Sequence, residues 1–434
     1  MLFRSGLFNL NSSDPFGAFL PTARDSMYVA DRNNFGPRIG LVYDPFGSQR
    51  LVFRAGGAVG YIPQVPIYLM DMASIDPRFP LVADFAPADI PAFPSVYPFP
   101  ISIVNQIAGN PNLLPANFVA TRQIMDYNRR DSYGAQWNFS VQGTVTPTLA
   151  LQASYVGTRN VNLTSPRNVN LVNPSLGRRP RTEFGDVNIL ENAGRISYHG
   201  LQLSATQRLK KGLSYEAFYT WSKSTAYFVP DGTITFTLGS LQDPNNIAGS
   251  NGVKDGDLRH RFVSTFSYQI PAGSLGDNAA LKAVFEGWTI QSITTWRSGL
   301  PFNVTSGTIL YPNGRVDGQR PDYVGGDPYN KNSTALTWLN RAAFSNTAAA
   351  AERRFGNLGY NALRGPSGFS LDAALHKQFQ IREGHRVTFR LEAFNALNHK
   401  VLNSPVAAVT NPNFGLITGA SGGRNVQLAL KYNF

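Results

Sequence analysis

The sequence feature that most limits the fold is a period-two alternation of apolar and polar residues, sustained for about ten residues at a time. In Tyr133–Val145 the odd positions carry Tyr, Ala, Trp, Phe, Val, Gly and Val, and most even positions are polar. Leu213–Lys223 repeats the pattern, with mostly polar residues between its apolar ones. Successive side chains of a β-strand point to opposite faces, so each segment predicts a strand with one apolar and one polar face.

About eleven segments have this character, which predicts an all-β protein. They are Arg38–Tyr43, Leu51–Tyr61, Tyr133–Val145, Leu149–Val156, Ser197–Arg208, Leu213–Lys223, Arg261–Ile270, Phe285–Arg297, Phe369–Phe379, Val387–Asn395 and Asn425–Phe434. Soluble strands usually have about five or six residues, whereas a tilted membrane crossing needs about ten. The lengths therefore predict an antiparallel transmembrane β-barrel.

The connections between the predicted strands alternate between short and long. The shorter ones are Asp44–Arg50, Thr146–Thr148, Leu209–Gly212, Pro271–Val284 and Gln380–Arg386. The long ones are Ile62–Ser132, Gly157–Ile196, Ser224–Leu258, Ser298–Gly368 and Ala396–Arg424. Outer-membrane barrels have this asymmetry, with short periplasmic turns and long external loops, and a soluble sandwich has no reason to keep it.

Charge placement agrees with a membrane-facing apolar row. The charges in the strand bodies fall on the opposite row: Arg54, Glu216, Asp372, Arg390, Glu392 and Lys431. A lysine or arginine facing lipid at mid-depth costs about 2–4 kcal/mol. Lys223 and Lys377 break the rule, but both lie at strand ends, where a lysine reaches the headgroups.

Aromatic residues collect at the ends of the predicted strands. They are Tyr61, Tyr133, Tyr155, Trp221, Trp296 and Tyr432. Rings with a polar tip suit the membrane interface, so this set predicts an aromatic girdle. Aromatic residues also favour β-structure anywhere, which is the simpler interpretation.

Composition narrows the remaining classes of function. The 434 residues carry a net charge of +12, and the absence of cysteine excludes disulfides, thiol nucleophiles and cysteine metal sites. The basic residues are dispersed, with one cluster at Arg178, Arg179 and Arg181 that could face lipopolysaccharide or an anionic ligand. Nucleic acid is therefore not expected as a partner.

The Ile90–Thr121 stretch lacks charge, but its prolines forbid a membrane helix and predict a loop.

The amino terminus lacks the pattern of a secretory signal, because no long apolar core follows a basic stretch in Met1–Leu10. Either the chain is cytoplasmic or its true beginning is missing. We favour the second interpretation.

Several stretches, taken in order and spacing, resemble one family. They are Gly36–Gly47, Arg259–Phe262, Gly287–Gly307, Arg320–Asp322, Phe355–Phe379 and, most specifically, Arg390–Phe434. Together they resemble the carboxy-terminal barrel of TonB-dependent receptors of the Oar-like type, which are abundant in Acidobacteria. The resemblance implies a barrel of roughly twenty-two strands, of which residues 1–434 would form one half. No segment resembles the plug domain or TonB box that precedes the barrel in the family.

The last strand resembles the signal that the barrel-assembly machinery reads. Its alternate residues are Val426, Leu428, Leu430, Tyr432 and Phe434. An open strand edge with a terminal aromatic residue could pair with the machinery by strand addition. An ordinary last strand that ends in Phe by chance is the alternative.

No pattern in the sequence predicts catalysis or a cofactor. His199, His260, His376, His385 and His399 are scattered without metal-ligand spacing, and we expect them to be lumen-facing polar groups. Asp255 and Asp257 lack the other ligands of a calcium loop and predict a turn. The nucleophile elbow, phosphate loop and dinucleotide fingerprint are also missing from the sequence.

These observations predict the barrel portion of a TonB-dependent transporter of the cell outer membrane. The resemblance implies that its partners are outer-membrane lipid, lipopolysaccharide, the assembly machinery, TonB through the missing amino-terminal part, and an unidentified solute. Ligand selectivity is expected in Ile62–Ser132, Gly157–Ile196, Ser224–Leu258 and Ser298–Gly368. An ungated porin and a secreted β-rich binding or adhesion protein remain as alternatives.

Overall fold

The computed structural model describes residues 7–8, 21–22, 29–62, 122–126, 128–173, 176–182, 185–227, 241–243, 245–270, 286–312, 318–330 and 336–434. One large antiparallel sheet dominates this part of the chain. Its strands, in chain order, are β1 (Arg38–Tyr43), β2 (Leu51–Ile62), β3 (Ser132–Thr146), β4 (Leu149–Asn168), β5 (Val187–Lys210), β6 (Leu213–Tyr227), β7 (His260–Gln269), β8 (Trp288–Arg297), β9 (Gly368–Arg382), β10 (His385–Phe394) and β11 (Asn425–Asn433).

Each strand pairs with its neighbours in the chain, so the spatial order is the sequence order from β1 to β11. Two short strands join the sheet off this path: Gly252–Val253 pairs with β6, and Arg122–Met125 runs parallel to the start of β5. Among the described residues, β1 and β11 each have one partner, and they do not pair with each other. The described sheet is therefore open at both edges.

The eleven predicted strands are all present, and the alternation of connections holds except that the connection after β4, residues 169–186, is only as long as the one after β7, residues 270–287. The turns after β3, β5 and β9 contain only Pro147–Thr148, Lys211–Gly212 and Glu383–Gly384. The connections after β8 and β10 span residues 298–367 and 395–424. One rim of the sheet therefore carries tight turns and the opposite rim carries the large loops. The Ile90–Thr121 prediction lies outside the described residues.

Two strands are much longer than predicted. Residues 157–196 were expected to be a loop, but β4 continues to Asn168 and β5 begins at Val187. The start of β5 is buried beside the parallel strand Arg122–Met125, with Val187, Ile189 and Leu190 each at most 1% exposed. Because consecutive residues are buried there, the period-two signal disappears and sequence reasoning misses the extension.

The main hydrophobic cluster lies in the loops. It contains Val304, Leu339, Ala343, Phe344, Leu358, Leu363, Val409 and Phe414. The short pairs Pro301–Phe302 with Leu363–Arg364, and Asp322–Tyr323 with Phe344–Ser345, frame it. We call the described parts of the connections 298–367 and 395–424 the loop cap. No described helix is long and apolar enough to cross a membrane.

Candidate functional site

The strand register places the predicted apolar rows on one face of the sheet. Phe53 pairs with Val141, Val141 with Ala153, and Ala153 with Leu203, so these side chains form a continuous lateral row. The face is exposed, with Phe139 at 49% and Leu203 at 42%. Among the described residues, the buried aliphatic side chains of the long strands are Val52, which pairs with Gln142 on the polar face, and Val187, Ile189 and Leu190 at the loop end of β5. In the described part of the chain, the apolar face therefore has no packed protein layer over it between the two rims.

The six predicted charges all lie on the opposite, polar face. Arg54 pairs with Ser140 and donates to the Gln142 Oε1 atom at 2.7 Å. Glu216 pairs with Thr265 of β7. Thr265 and Asp372 lie in one lateral row, which crosses β8, so Glu216 and Asp372 are on the same face. Register places Arg390, Glu392 and Lys431 on the same face. This distribution is the one that a membrane on the apolar side selects.

The charges on the apolar face are confined to strand ends. Lys377 is 3% exposed and donates to the Glu286 carbonyl, and its ammonium lies 5.3 Å from the Trp288 ring centroid. Lys223 pairs with His199 near the loop rim. Arg159, in the predicted loop Gly157–Ile196, lies one row further out. These positions allow each cation to reach the interface.

Aromatic rings form a band at the loop-side end of the apolar face. The Tyr61 and Tyr133 ring centroids are 5.8 Å apart, and the His260 ring lies between Tyr219 at 6.2 Å and Trp296 at 6.3 Å. The band matches the predicted girdle, with Tyr432 at the opposite rim beside His385.

The expectation that all five histidines face the lumen is wrong. His199 and His260 lie on the apolar face, where their Nδ1 atoms hydrogen bond the hydroxyls of Tyr155 at 2.6 Å and Tyr219 at 2.8 Å. His385 pairs in the same way with Tyr432. A tyrosine hydroxyl on the neighbouring strand satisfies the imidazole, which lowers the cost of placing it at the membrane interface. Sequence reasoning had no signal for these pairs, because their members lie 41 to 47 residues apart.

The polar face carries one dense cluster, on β9, β10 and β11. Glu392 accepts hydrogen bonds from Arg390 on its own strand and from Gln427 on β11. His376 lies 3.7 Å from Glu392 and accepts from the Arg390 Nε atom at 3.4 Å. The described residues contain no group of three or more His, Cys, Asp or Glu side chains that could hold a metal ion. The cluster is a satisfied polar network on the wall of the sheet.

An ion pair within the loop cap involves Asp322, the last residue of the motif Arg320–Asp322 on which the family resemblance rests. Asp322 makes a bidentate ion pair with Arg354, with both N–O distances 2.8 Å, and accepts from the Asn357 backbone N–H. The hydrogen bonds from Arg354 hold the pKa of Asp322 below its ordinary value. The Asp322 side chain is only 5% exposed. The motif Arg320–Asp322 therefore acts as an anchor of the cap.

Arg320 joins the cap to the connection between β6 and β7. Its side chain donates to the carbonyls of Leu358 at 2.7 Å and Gly249 at 3.0 Å, and the residue is 2% exposed. Burial lowers the pKa of Arg320 to about 10, so the guanidinium stays charged at neutral pH. Gly356 packs against the same segment, since a Cβ atom there would lie 2.2 Å from the Arg320 carbonyl oxygen.

The acidic pair before β7 forms the predicted turn. Gly256 has a φ of +77°, and Asp255 accepts from the Tyr360 hydroxyl at 2.8 Å. Asp257 is buried and forms an ion pair with Arg364, which also donates to the Gly299 carbonyl at 3.0 Å. Both carboxylates thus bind the loop cap to the top of β6 and β7.

The basic cluster of the β4–β5 hairpin is partly internal. The Arg179 guanidinium donates to Asp186 at 2.8 Å and to the Asn170 carbonyl at 2.7 Å. Arg178 and Arg181 are exposed. The surface that could meet an anion is therefore smaller than the sequence suggests.

The residues of the predicted assembly signal lie along an unpaired edge. Val426, Leu428, Leu430 and Tyr432 are opposite Ala393, Leu391, Phe389 and Val387 of β10. They are exposed, from 52% at Tyr432 to 74% at Leu430, and Phe434 is 91% exposed. No described strand covers the other edge of β11.

A long antiparallel sheet with an exposed apolar face, tight turns at one rim and large loops at the other defines an outer-membrane β-barrel protein. The sequence matches the outer membrane beta barrel domain family over residues 4–427, and the chain belongs to that family. Membership places the protein in the cell outer membrane. No curated protein shows significant sequence similarity to the chain.

Solved structures with a similar fold include outer-membrane transporters. The transporter YddB from Escherichia coli is 12% identical, with a TM-score of 0.47 over 92% of this chain and 40% of that one. FpvA from P. aeruginosa is 10% identical, with a TM-score of 0.44 over 94% and 34% of the two chains. The siderophore receptor PiuA from Acinetobacter baumannii is 10% identical, with a TM-score of 0.44 over 92% and 35%. The chain thus spans at most 40% of the length of these proteins.

Proposed function

We propose that this chain is the carboxy-terminal half of the barrel of a TonB-dependent transporter of the Oar-like type. The barrel acts as a conduit: the external loops bind a solute, and a plug, moved by TonB, opens the lumen. The family places the sheet in the outer membrane, and the order of the resembled motifs supports the subtype.

The observation that carries the proposal is the direction of the two edge strands. β1 runs into the short turn before β2, and β11 runs away from a long loop, so both descend toward the rim of tight turns. Two strands that descend together cannot pair antiparallel. Antiparallel closure therefore requires an odd number of further strands between them, and eleven more would make roughly twenty-two.

The genomic sequence upstream of the Met1 codon tests the first part. We expect an uninterrupted reading frame that encodes further amphipathic strands and a plug domain. An in-frame stop codon followed directly by a signal peptide would contradict the proposal and favour a small porin.

Conductance of the isolated chain tests the second part. In planar bilayers, 434 residues that form half of a wall give no steady pore, whereas a complete porin gives a constant ohmic conductance. Cells with the uninterrupted gene are then supplied with ferric chelates, cobalamin, oligosaccharides and peptides. Uptake should depend on the gene and disappear with a protonophore. Uptake that persists without a proton gradient would exclude coupling to TonB.

A further inference from the structure

The apolar face contains a groove of about 550 Å³. Small residues form most of its floor. Gly143 and Ala205 lie on either side of Leu151, and Ala205 pairs with Ala217 on the next strand. Leu203 and Phe262 are among the larger side chains that line it. A Cβ atom built on Gly143 would have no other atom within 4 Å, so the space above the floor is open.

The groove lies at the depth of the inner leaflet. Ala205 is five residues from Lys210, at the turn between β5 and β6. At about 3.3 Å per residue this separation is about 16 Å along the strand. Each leaflet contributes about 15 Å of hydrocarbon, so the groove meets acyl chains and the turn meets headgroups.

The rim below the groove is basic. Arg50 and Lys211 are exposed, and Lys210 pairs with Leu213, which places it on the apolar face. The nearby Asp44 carboxylate is occupied within its own turn, where it accepts from the Phe46 and Gln49 backbone N–H groups. In the described turns 44–50, 147–148 and 209–212, Asp44 is the one carboxylate, so these turns present net positive charge at the height where lipid phosphates lie.

We propose that this groove binds one acyl chain of an anionic phospholipid of the inner leaflet, with the phosphate held by Lys210 and Lys211. A second copy of the chain is disfavoured as the occupant, because a two-fold contact over the groove would bring two basic rims together. The inference rests on the membrane location of the apolar face and is independent of which solute the barrel carries.

The test measures lipid retention by native mass spectrometry. The chain is reconstituted in nanodiscs with equal amounts of phosphatidylglycerol and phosphatidylethanolamine, then released into detergent. We expect the wild type to retain phosphatidylglycerol preferentially. Ala205→Phe fills the groove and should remove most bound lipid, whereas Ala393→Phe, on the same face outside the groove, should not.

The headgroup contact has its own variants. Lys210→Gln with Lys211→Gln should lower the preference for phosphatidylglycerol by about fivefold per lysine. Arg382→Gln, an exposed residue opposite His385 on the apolar face at the β9–β10 end of the rim, is the matched control. Folding of each variant is checked by heat-dependent gel mobility. Equal retention of both lipids by the wild type, wild-type retention by Ala205→Phe, or a dimer that Ala205→Phe dissociates would each overturn the proposal. None of these results bears on the transport function.

Discussion

The carboxylate of Asp322 and the guanidinium of Arg354 form two parallel hydrogen bonds of 2.8 Å each, at the point where two segments of the loop cap meet. Because the native pKa of Asp322 is lowered, this contact stabilises the cap above the ordinary aspartate pKa of about 3.9 and loses that contribution as pH falls through the native pKa. We expect cap amides to lose hydrogen-exchange protection below about pH 4. Asp322→Asn should reduce protection already at neutral pH and flatten this dependence. An unchanged acid profile in the variant would show that other carboxylates control the cap.

Substitution by arginine should affect stability differently at two adjacent residues that lie on opposite faces of the sheet. Leu203→Arg places a cation toward lipid near mid-depth and should destabilise the folded sheet by about 2–4 kcal/mol. Gln202→Arg places the same cation on the polar face and should have a small effect. Denaturant unfolding of the two variants in lipid vesicles measures the difference. Equal destabilisation would mean that the two faces share one environment.

A cavity in the hydrophobic cluster of the loop cap should destabilise the cap and not the sheet. Leu339 is 1% exposed, and Leu339→Ala should cost the cap about 2–5 kcal/mol. Leu336→Ala, at a side chain that is 54% exposed in the same connection, is the control. Limited proteolysis should cleave the first variant within residues 298–367 while the sheet stays resistant. Loss of the whole sheet in Leu339→Ala would show that cap and barrel unfold as one unit.

The edge position of β11 supports the prediction of an assembly signal. Phe434→Ala should lower the amount of the protein that reaches the outer membrane several-fold, because the terminal ring is the most exposed anchor of the strand. Phe434→Trp should retain assembly, and Asn433→Ala is the control on the other face. Quantitative blotting of outer-membrane fractions measures the effect. Normal assembly of the Phe434→Ala variant would show that Phe434 is not part of an assembly signal.

The membrane-spanning part of the fold was predictable because lipid imposes one rule on every strand. Leu203 and Glu216 fall on opposite faces by simple alternation, and the register confirms it. The loop cap was not predictable, because Asp322 and Arg354 lie 32 residues apart and no periodicity connects them. The motif that contains Asp322 was found by resemblance alone, without its anchoring role. The tyrosine partners of His199 and His260 were not predictable either, because they also lie far away in the sequence.

The unexpected length of β4 has a consequence at the cell surface. From Val156 to Asn168 the strand continues for twelve residues, or about 40 Å at 3.3 Å per residue. A paired ribbon of that reach stands well clear of the bilayer. Large particles that approach the cell, such as phages, antibodies or neighbouring surface polymers, would therefore meet this hairpin before they meet lipid.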